Sequence, residues 1–243
     1  MGDADLDVVP LLREFYGAVH RPPSNLFQFV VWEVLSEHAS TARRDLAWNA
    51  LRRIPALTPD AMFRAPAKAL AEAVALSGAP QDPTLDRLRV IVDAFKRRRD
   101  ALDAATWPTQ NALAASRMLS AIPGIDEAIR RRALLFAVRL PIMPPDDEVS
   151  RVVCRLTQLI DLAAATRMRS PVRARRSARR WLALRLEPNH DVYCEAVTYL
   201  RHHARHTCLA VGPHCQVCPL ASRCRSKSHT SPHPQAQGGP AAS

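Results

Sequence analysis

The chain has 243 residues, 47% of them hydrophobic, which is enough for one or two ordinary buried cores and argues against a third. Its formal charge of +11 favours a polyanionic partner, because clustered cations that neutralise phosphates release counterions, although charge alone leaves DNA, RNA and a membrane surface open. Only Lys68, Lys96 and Lys227 among the 34 basic residues are lysines, so a mechanism that needs a lysine amine has three candidates.

Met1–Asp5 is acidic where a secretory signal is basic and then apolar, and the expectation is a reducing, cytoplasmic setting. Leu6, Val9, Leu12, Phe15 and Val19 recur at helical spacing up to Arg21-Pro22-Pro23, which predicts an amphipathic helix. Ser24-Asn25 is positioned to cap a nearly all-apolar helix through Leu35, expected at the centre of a bundle. Its apolar stretch, interrupted by Gln28 and Glu33, falls short of the roughly 20 residues that span a bilayer, so no membrane anchor is expected. Further helices are predicted over Ala42–Arg53, Asp60–Phe63, Ala67–Ser77, Pro83–Ala101, Gln110–Ala121 and Glu127–Val138, separated by Pro and Gly signals. After Pro144-Pro145 come Asp147–Thr166, Pro171–Leu186 and His190–Arg205. No stretch alternates with β-branched residues, so the fold class is all-α. Beyond Arg225 the Ser-, His-, Pro-, Gln- and Gly-rich composition predicts a disordered tail.

Cys208, Cys215, Cys218 and Cys224 fall within seventeen residues, spaced Cys-x6-Cys-x2-Cys-x5-Cys, with Cys154 and Cys194 outside the run. Gathered thiolates repel one another, and a cation or an iron–sulfur cage compensates; Cys215-x2-Cys218 is the short chelate loop such sites use. Spacing alone does not choose iron over zinc, and disulfides are a further alternative in an oxidising compartment.

The run Arg205-His206-Thr207-Cys208 with this spacing resembles the iron–sulfur loop of the endonuclease III family of DNA glycosylases. That resemblance implies a [4Fe–4S] cluster on the four cysteines. Leu119-Ser120-Ala121-Ile122-Pro123-Gly124-Ile125 is similar to the family's Leu-Pro-Gly-Val-Gly hairpin, and Pro145-Asp146 with Arg151-Val152 to its Val-Asp segment. Leu35-Ser36-Glu37-His38-Ala39-Ser40 is similar to Leu-Ser-x-Gln-x-Thr, which puts His38 where a side chain fills the gap left by an extruded base. The similarity covers approximately residues 24–224.

A hairpin of this kind holds a DNA phosphate on backbone N–H groups, which implies a DNA-contacting role for Gly124 and Asp126. Asp126 replaces the family's second glycine; Asp tolerates a left-handed backbone and caps helices, but its carboxylate repels a phosphate. Ala128 stands where bifunctional members carry a lysine nucleophile, and alanine forms no Schiff base, so strand cleavage by the lyase route is not expected. Asp146 follows Ala128 by eighteen residues, the family's interval between lysine and catalytic aspartate. At a helix start its carboxylate is kept ionised by the dipole and free N–H groups, fit to stabilise positive charge on a deoxyribose or to orient water. A plain N-cap is the alternative reading of the same residue.

The chain is longer than the family between Asp146 and Cys208, and the excess falls near Arg167, Arg169, Arg173, Arg175, Arg176, Arg179 and Arg180. Ser170-Pro171 starts a helix there, which predicts that Arg173, Arg176 and Arg180 face DNA phosphates. The loop Leu209–His214 between the first two cysteines has no Lys or Arg and is not expected to reach DNA.

The resemblance therefore implies a six-helix barrel lobe with the helix-hairpin-helix at residues 20–140, and a cluster lobe from residues 1–19 and 141–226, followed by the tail at 227–243. The expected protein is a monomeric, nucleoid-associated bacterial enzyme that binds double-stranded DNA carrying a damaged or mismatched base and removes that base hydrolytically. Two rivals remain: a cluster-bearing DNA-binding relative that has lost activity, and a zinc-stabilised helical protein whose arginines serve RNA or an acidic partner.

Overall fold

The computed structural model describes residues 8–37, 39–98, 111–144, 146–158 and 171–226. Among them regular structure is helical throughout, in eleven α-helices and one 3-10 turn, as the periodicity predicts. The expected tail at 227–243 lies outside the described residues. No described helix is long and apolar enough to cross a membrane.

Helix α2 (Leu26–Ser36) is the hub. Asn25 caps it by accepting from Gln28 N, and every residue of the helix except Gln28 is buried. A helix apolar on all sides has no face for water and packs on several neighbours at once. Helices α3 (Thr41–Arg53), α5 (Ala67–Ser77), α6 (Gln81–Arg97) and α8 (Glu127–Phe136) surround it. Phe27 meets Phe95 of α6 edge-on and Phe29 stacks on Phe136 of α8. Helix α4 (Pro59–Arg64) lies on α6, and α7 (Ala112–Ser120) on α8.

The later chain forms a second group. Helix α9 (Asp147–Thr157) packs on both α10 (Pro171–Ala183) and α11 (His190–His206), while α1 (Val8–Tyr16) returns from the other end of the chain to lie on α11. Helix α11 also touches α8, and one hydrophobic cluster runs through both groups.

Three of the boundaries that differ from the periodicity have a clear local cause. Helix α1 stops at Tyr16, before the prolines, because Gly17 adopts φ +64° and sends its N–H back to Arg13 O. Helix α6 begins at Gln81, with Pro83 in its first turn, where a missing N–H costs nothing. Helix α9 ends at Thr157, since Gln158 turns left-handed at φ 50° and its side chain donates to Arg225 O at 2.8 Å; the rest of the predicted span, 159–166, lies outside the described residues.

Candidate functional site

Asp146 caps α9. Its Oδ1 accepts from Glu148 N at 2.9 Å and Val149 N at 3.0 Å, and its Oδ2 lies 3.1 Å from Arg132 Nη1 and 3.6 Å from Arg201 Nε. The residue is only 4% exposed. Glu33, buried in α2, lies 2.8 Å from Arg132 and accepts from both Nη atoms of Arg201, at 2.7 and 3.2 Å. Glu148 extends the network from Arg201 to Arg205. Burial by itself would push both buried carboxyls up, but the two guanidiniums outweigh it, holding Glu33 at about 2 and Asp146 below the usual carboxylate range. Asp146 is thus ionised, as expected from a helix start, but chiefly by two arginines that the sequence pattern did not single out.

The hairpin joins α7 to α8. Gly124 sits at φ +82°, and a Cβ there would come within 2.7 Å of Ile91 Cγ1 on α6, so both backbone and packing require glycine. Asp126 does not take the left-handed backbone that its position suggests. It is extended at φ −76°, and its Oδ1 caps α8 by accepting from Ile129 N at 2.8 Å. Arg87 of α6 clamps the turn: its Nε donates to Gly124 O at 2.8 Å, Nη2 to Asp126 and Nη1 to both oxygens of Glu37. One N–H at the start of α8 is therefore already satisfied from within. Burial would push Asp126 up, but the Ile129 N–H and Arg87 hold it below the usual range. Ala128 is exposed on the first turn of α8. The two described lysines lie on α5 and α6, with Lys96 over the Phe63 ring. His38 falls outside the described residues.

A small cavity lies between α2, α3, α8 and α11, with Trp32, Arg44, Thr198, Arg201, His202 and Arg205 among its walls. The Arg44 guanidinium stands 4.0 Å over the Trp32 ring, and the buried Thr198 hydroxyl has no hydrogen-bond partner. Burial, then His206, Arg44 and Arg205, push His202 down to about 4, so it is neutral near pH 7. Arg201 both lines this cavity and contacts Asp146. No motif marks these residues; the only local signal is Glu33, an acid in an otherwise apolar helix.

The four clustered cysteines are all partly buried beside α9 and α11, and no disulfide joins any of the six. Arg155 holds the loop: Nη1 donates to Cys208 Sγ at 3.4 Å and to Leu209 O, and Nη2 to Ala210 O. Arg151 donates to Cys208 O and Ala204 O. Past Cys224 the chain returns to α9, Arg225 N donating to Leu156 O. Burial first, then Cys208, Cys224 and Cys215, push the Cys218 thiol up to about 11, which is the cost of gathering thiolates that a metal centre offsets. Among the described residues no three His, Cys, Asp or Glu side chains close round a single metal position. Four cysteines in one short loop, with the Arg155 guanidinium beside Cys208 and the His203 imidazole beside Cys218, are by their chemistry the residues that could hold an iron–sulfur cluster. Cys154 and Cys194 are buried elsewhere, and burial raises both thiols.

On α10, Ala174, Ala178, Trp181 and Leu182 are buried. Arg173, Arg176 and Arg180 are exposed at i, i+3 and i+7, one stripe of the opposite face. Arg175 is not part of it; it pairs with Asp147 through two bonds and ties α10 to the start of α9. Arg167 and Arg169 lie outside the described residues.

No protein-family model matches the sequence, and no curated protein matches it. Solved structures do. A non-covalent endonuclease III–DNA complex is similar over 91% of this chain and 94% of its own, with TM-score 0.63 and 16% identity. A trapped endonuclease III–DNA covalent intermediate is similar over the same shares, with TM-score 0.62 and 16% identity. A thermostable thymine-DNA glycosylase covers 92% of this chain and 96% of its own, with TM-score 0.60 and 12% identity. At these identities the likeness speaks for architecture: the chain has the all-α helix-hairpin-helix fold of the endonuclease III-type DNA glycosylases.

Proposed function

We propose that the protein is a base-excision DNA glycosylase that hydrolyses the N-glycosidic bond of a damaged or mismatched base in double-stranded DNA, without a lyase step. The observation that carries this reading is the pairing of two positions: an ionised Asp146 at the start of α9, and an exposed Ala128, with no amine, on the first turn of α8. The likeness to DNA-bound endonuclease III and to a thymine-DNA glycosylase supports it. Residues 20–140 would form one lobe and residues 1–19 with 141–226 the other, with the cleft between them placing the Gly124 hairpin and Asp146 on either side of the extruded nucleotide. Asp146 then reaches the sugar only when Arg201 gives way. In this reading Cys208, Cys215, Cys218 and Cys224 hold a [4Fe–4S] cluster, which stabilises the loop around Arg155 and takes no part in bond cleavage. The enzyme would be cytoplasmic, monomeric and associated with the bacterial nucleoid.

DNA contact falls to Gly124, Asp126, His38 and the α10 stripe. Because Asp126 satisfies part of the hairpin internally, the stripe carries more of the phosphate binding. Replacing Arg173, Arg176 and Arg180 together with alanine is expected to weaken binding to all duplexes alike. The slope of log affinity against log salt should fall by about one per arginine, as read by fluorescence anisotropy. A salt slope unchanged from wild type would remove α10 from the interface.

The activity is tested by incubating the protein with duplexes that carry a broad set of base lesions and mismatches, then revealing abasic sites with alkali. Strand breaks are expected only after alkali. Borohydride is expected to trap no enzyme–DNA adduct, and efficient trapping would show that another amine serves in place of the missing lysine. The enclosure of Asp146, with both oxygens engaged, favours a second reading: a cluster-bearing DNA-binding protein of the same fold that releases no base. Tight binding without release across the whole set selects it. Purified protein with stoichiometric iron and sulfide excludes the zinc-stabilised alternative.

A further inference from the structure

We infer that Tyr16 and His203 are positioning residues for the iron–sulfur cluster, forming a one-way hydrogen-bond chain from Thr207 through Tyr16 and His203 onto the Cys218 sulfur; the inference rests on the cluster reading proposed above. His203 Nε2 lies 3.6 Å from Cys218 Sγ. On the other side of the ring, His203 Nδ1 is 2.8 Å from the Tyr16 hydroxyl, which is 2.6 Å from Thr207 Oγ1. His203 and Thr207 are buried.

Tyr16 comes from the far end of the chain, and its placement is fixed by several contacts. It is the last residue of α1, whose end is held on α11 by the Arg13–Glu195 ion pair and by Tyr199, whose hydroxyl donates to Gly17 O. The Tyr16 ring also stands edge-on to His202.

Counting donors sets the direction. A cluster-bound cysteine sulfur is a thiolate and only accepts. Nε2 is the His203 nitrogen that faces the sulfur, so it carries the N–H, and Nδ1, which faces the Tyr16 hydroxyl, accepts. The Tyr16 O–H is the donor in reach of Nδ1. Having donated its hydrogen, Tyr16 accepts from Thr207. Every bond then points toward the cluster. In the metal-free protein the Cys218 thiol is itself a donor, and this constraint disappears.

Hydrogen bonds donated to cluster sulfurs favour the more negative, reduced state and so raise the reduction potential. Arg155, donating to Cys208 Sγ, acts in the same sense on a second ligand. Tyr16 touches no cysteine, yet its hydroxyl selects the tautomer that lets His203 donate. Without it, His203 is free to carry its proton on Nδ1 and present a lone pair to the sulfur.

The test compares purified, cluster-loaded wild type with Tyr16→Phe, His203→Leu and His203→Gln, by iron and sulfide content, midpoint potential, and resonance Raman spectra of the Fe–S stretches in H2O and D2O. Tyr16→Phe is expected to keep wild-type iron and sulfide, to shift the midpoint to lower potential, and to shrink the deuterium shift of the Fe–S bands. His203→Leu should lower the potential further, and His203→Gln, which retains a donor near the Nε2 position, should restore most of it. Full clusters with unchanged potential and unchanged deuterium shift in Tyr16→Phe and His203→Leu overturn the inference. If His203→Leu does not fold, Tyr16→Phe decides alone. Wild type without iron and sulfide overturns the cluster reading itself, an outcome separable from a loaded cluster that ignores Tyr16.

Discussion

Arg132→Ala is expected to lower folding stability by about 3–5 kcal/mol near neutral pH, the range for removing one partner from a buried ion pair. Arg132 lies 2.8 Å from Glu33 and 3.1 Å from Asp146, and all three are buried. Alanine would leave two carboxylates sharing Arg201 in a medium that solvates neither well. The pH dependence separates this cause from a simple cavity. Glu33 is held at about 2 against an ordinary 4.5, and Asp146 is lowered in the same direction. A depressed carboxyl contributes stability that is present above its unfolded value and lost as pH falls through its folded one. The wild-type advantage should therefore be full above about pH 5 and shrink between about 4.5 and 2. Denaturant unfolding of both proteins across that range is the measurement. A deficit that stays constant with pH would assign the loss to packing instead.

Asp146→Asn is expected to reduce base release by at least about 100-fold, the lower end of what a positioned acid–base group contributes. Asparagine is as good an N-cap as aspartate, so the Glu148 and Val149 N–H groups keep an acceptor and the helix start survives. What disappears is the negative charge, and with it any stabilisation of a cationic sugar. DNA affinity should stay within a few-fold of wild type, since the α10 stripe is untouched. The comparison requires a lesion that wild type processes, with release measured under single-turnover conditions and unfolding checked in parallel. Release unaffected by Asp146→Asn would make the carboxylate a structural member of the Glu33–Arg132–Arg201 network alone.

In the proposed reaction, that network would make base release depend on motion. Arg201 contacts Asp146, Glu33 and Glu148 and also lines the small cavity beside Trp32. An incoming DNA phosphate would then have to compete with three carboxylates for this guanidinium before Asp146 is uncovered.

Much of the architecture was legible without coordinates because it is written in local patterns. The apolar run Leu26–Leu35 could only be a buried helix, Asn25 and Asp146 stand where caps stand, and the α10 arginines recur at helical spacing around Ala174 and Ala178. The four cysteines lie within seventeen residues, so their grouping is visible along the chain, although spacing alone does not choose what they hold. Partners distant in sequence were not legible in this way. Glu33 lies 99 residues from Arg132 and 168 from Arg201, and Tyr16 lies 187 from His203. Arg87 and Arg175 carry charges that composition counts as available for DNA, yet each is paired within the fold, Arg87 with Glu37 and Asp126 and Arg175 with Asp147.

By itself, then, the sequence determined the all-α class and the cap at Asp146, since each depends on spacing within a few turns of helix, and it raised the cysteine centre and the missing amine at Ala128 as expectations. Only the tertiary structure decided that Asp146 is enclosed between two arginines, that the hairpin answers to Arg87, and that Tyr16 reaches the cysteine centre. Burial and Coulomb interactions act through distance in space, and chain separations of 99 to 187 residues say nothing about distances near 3 Å.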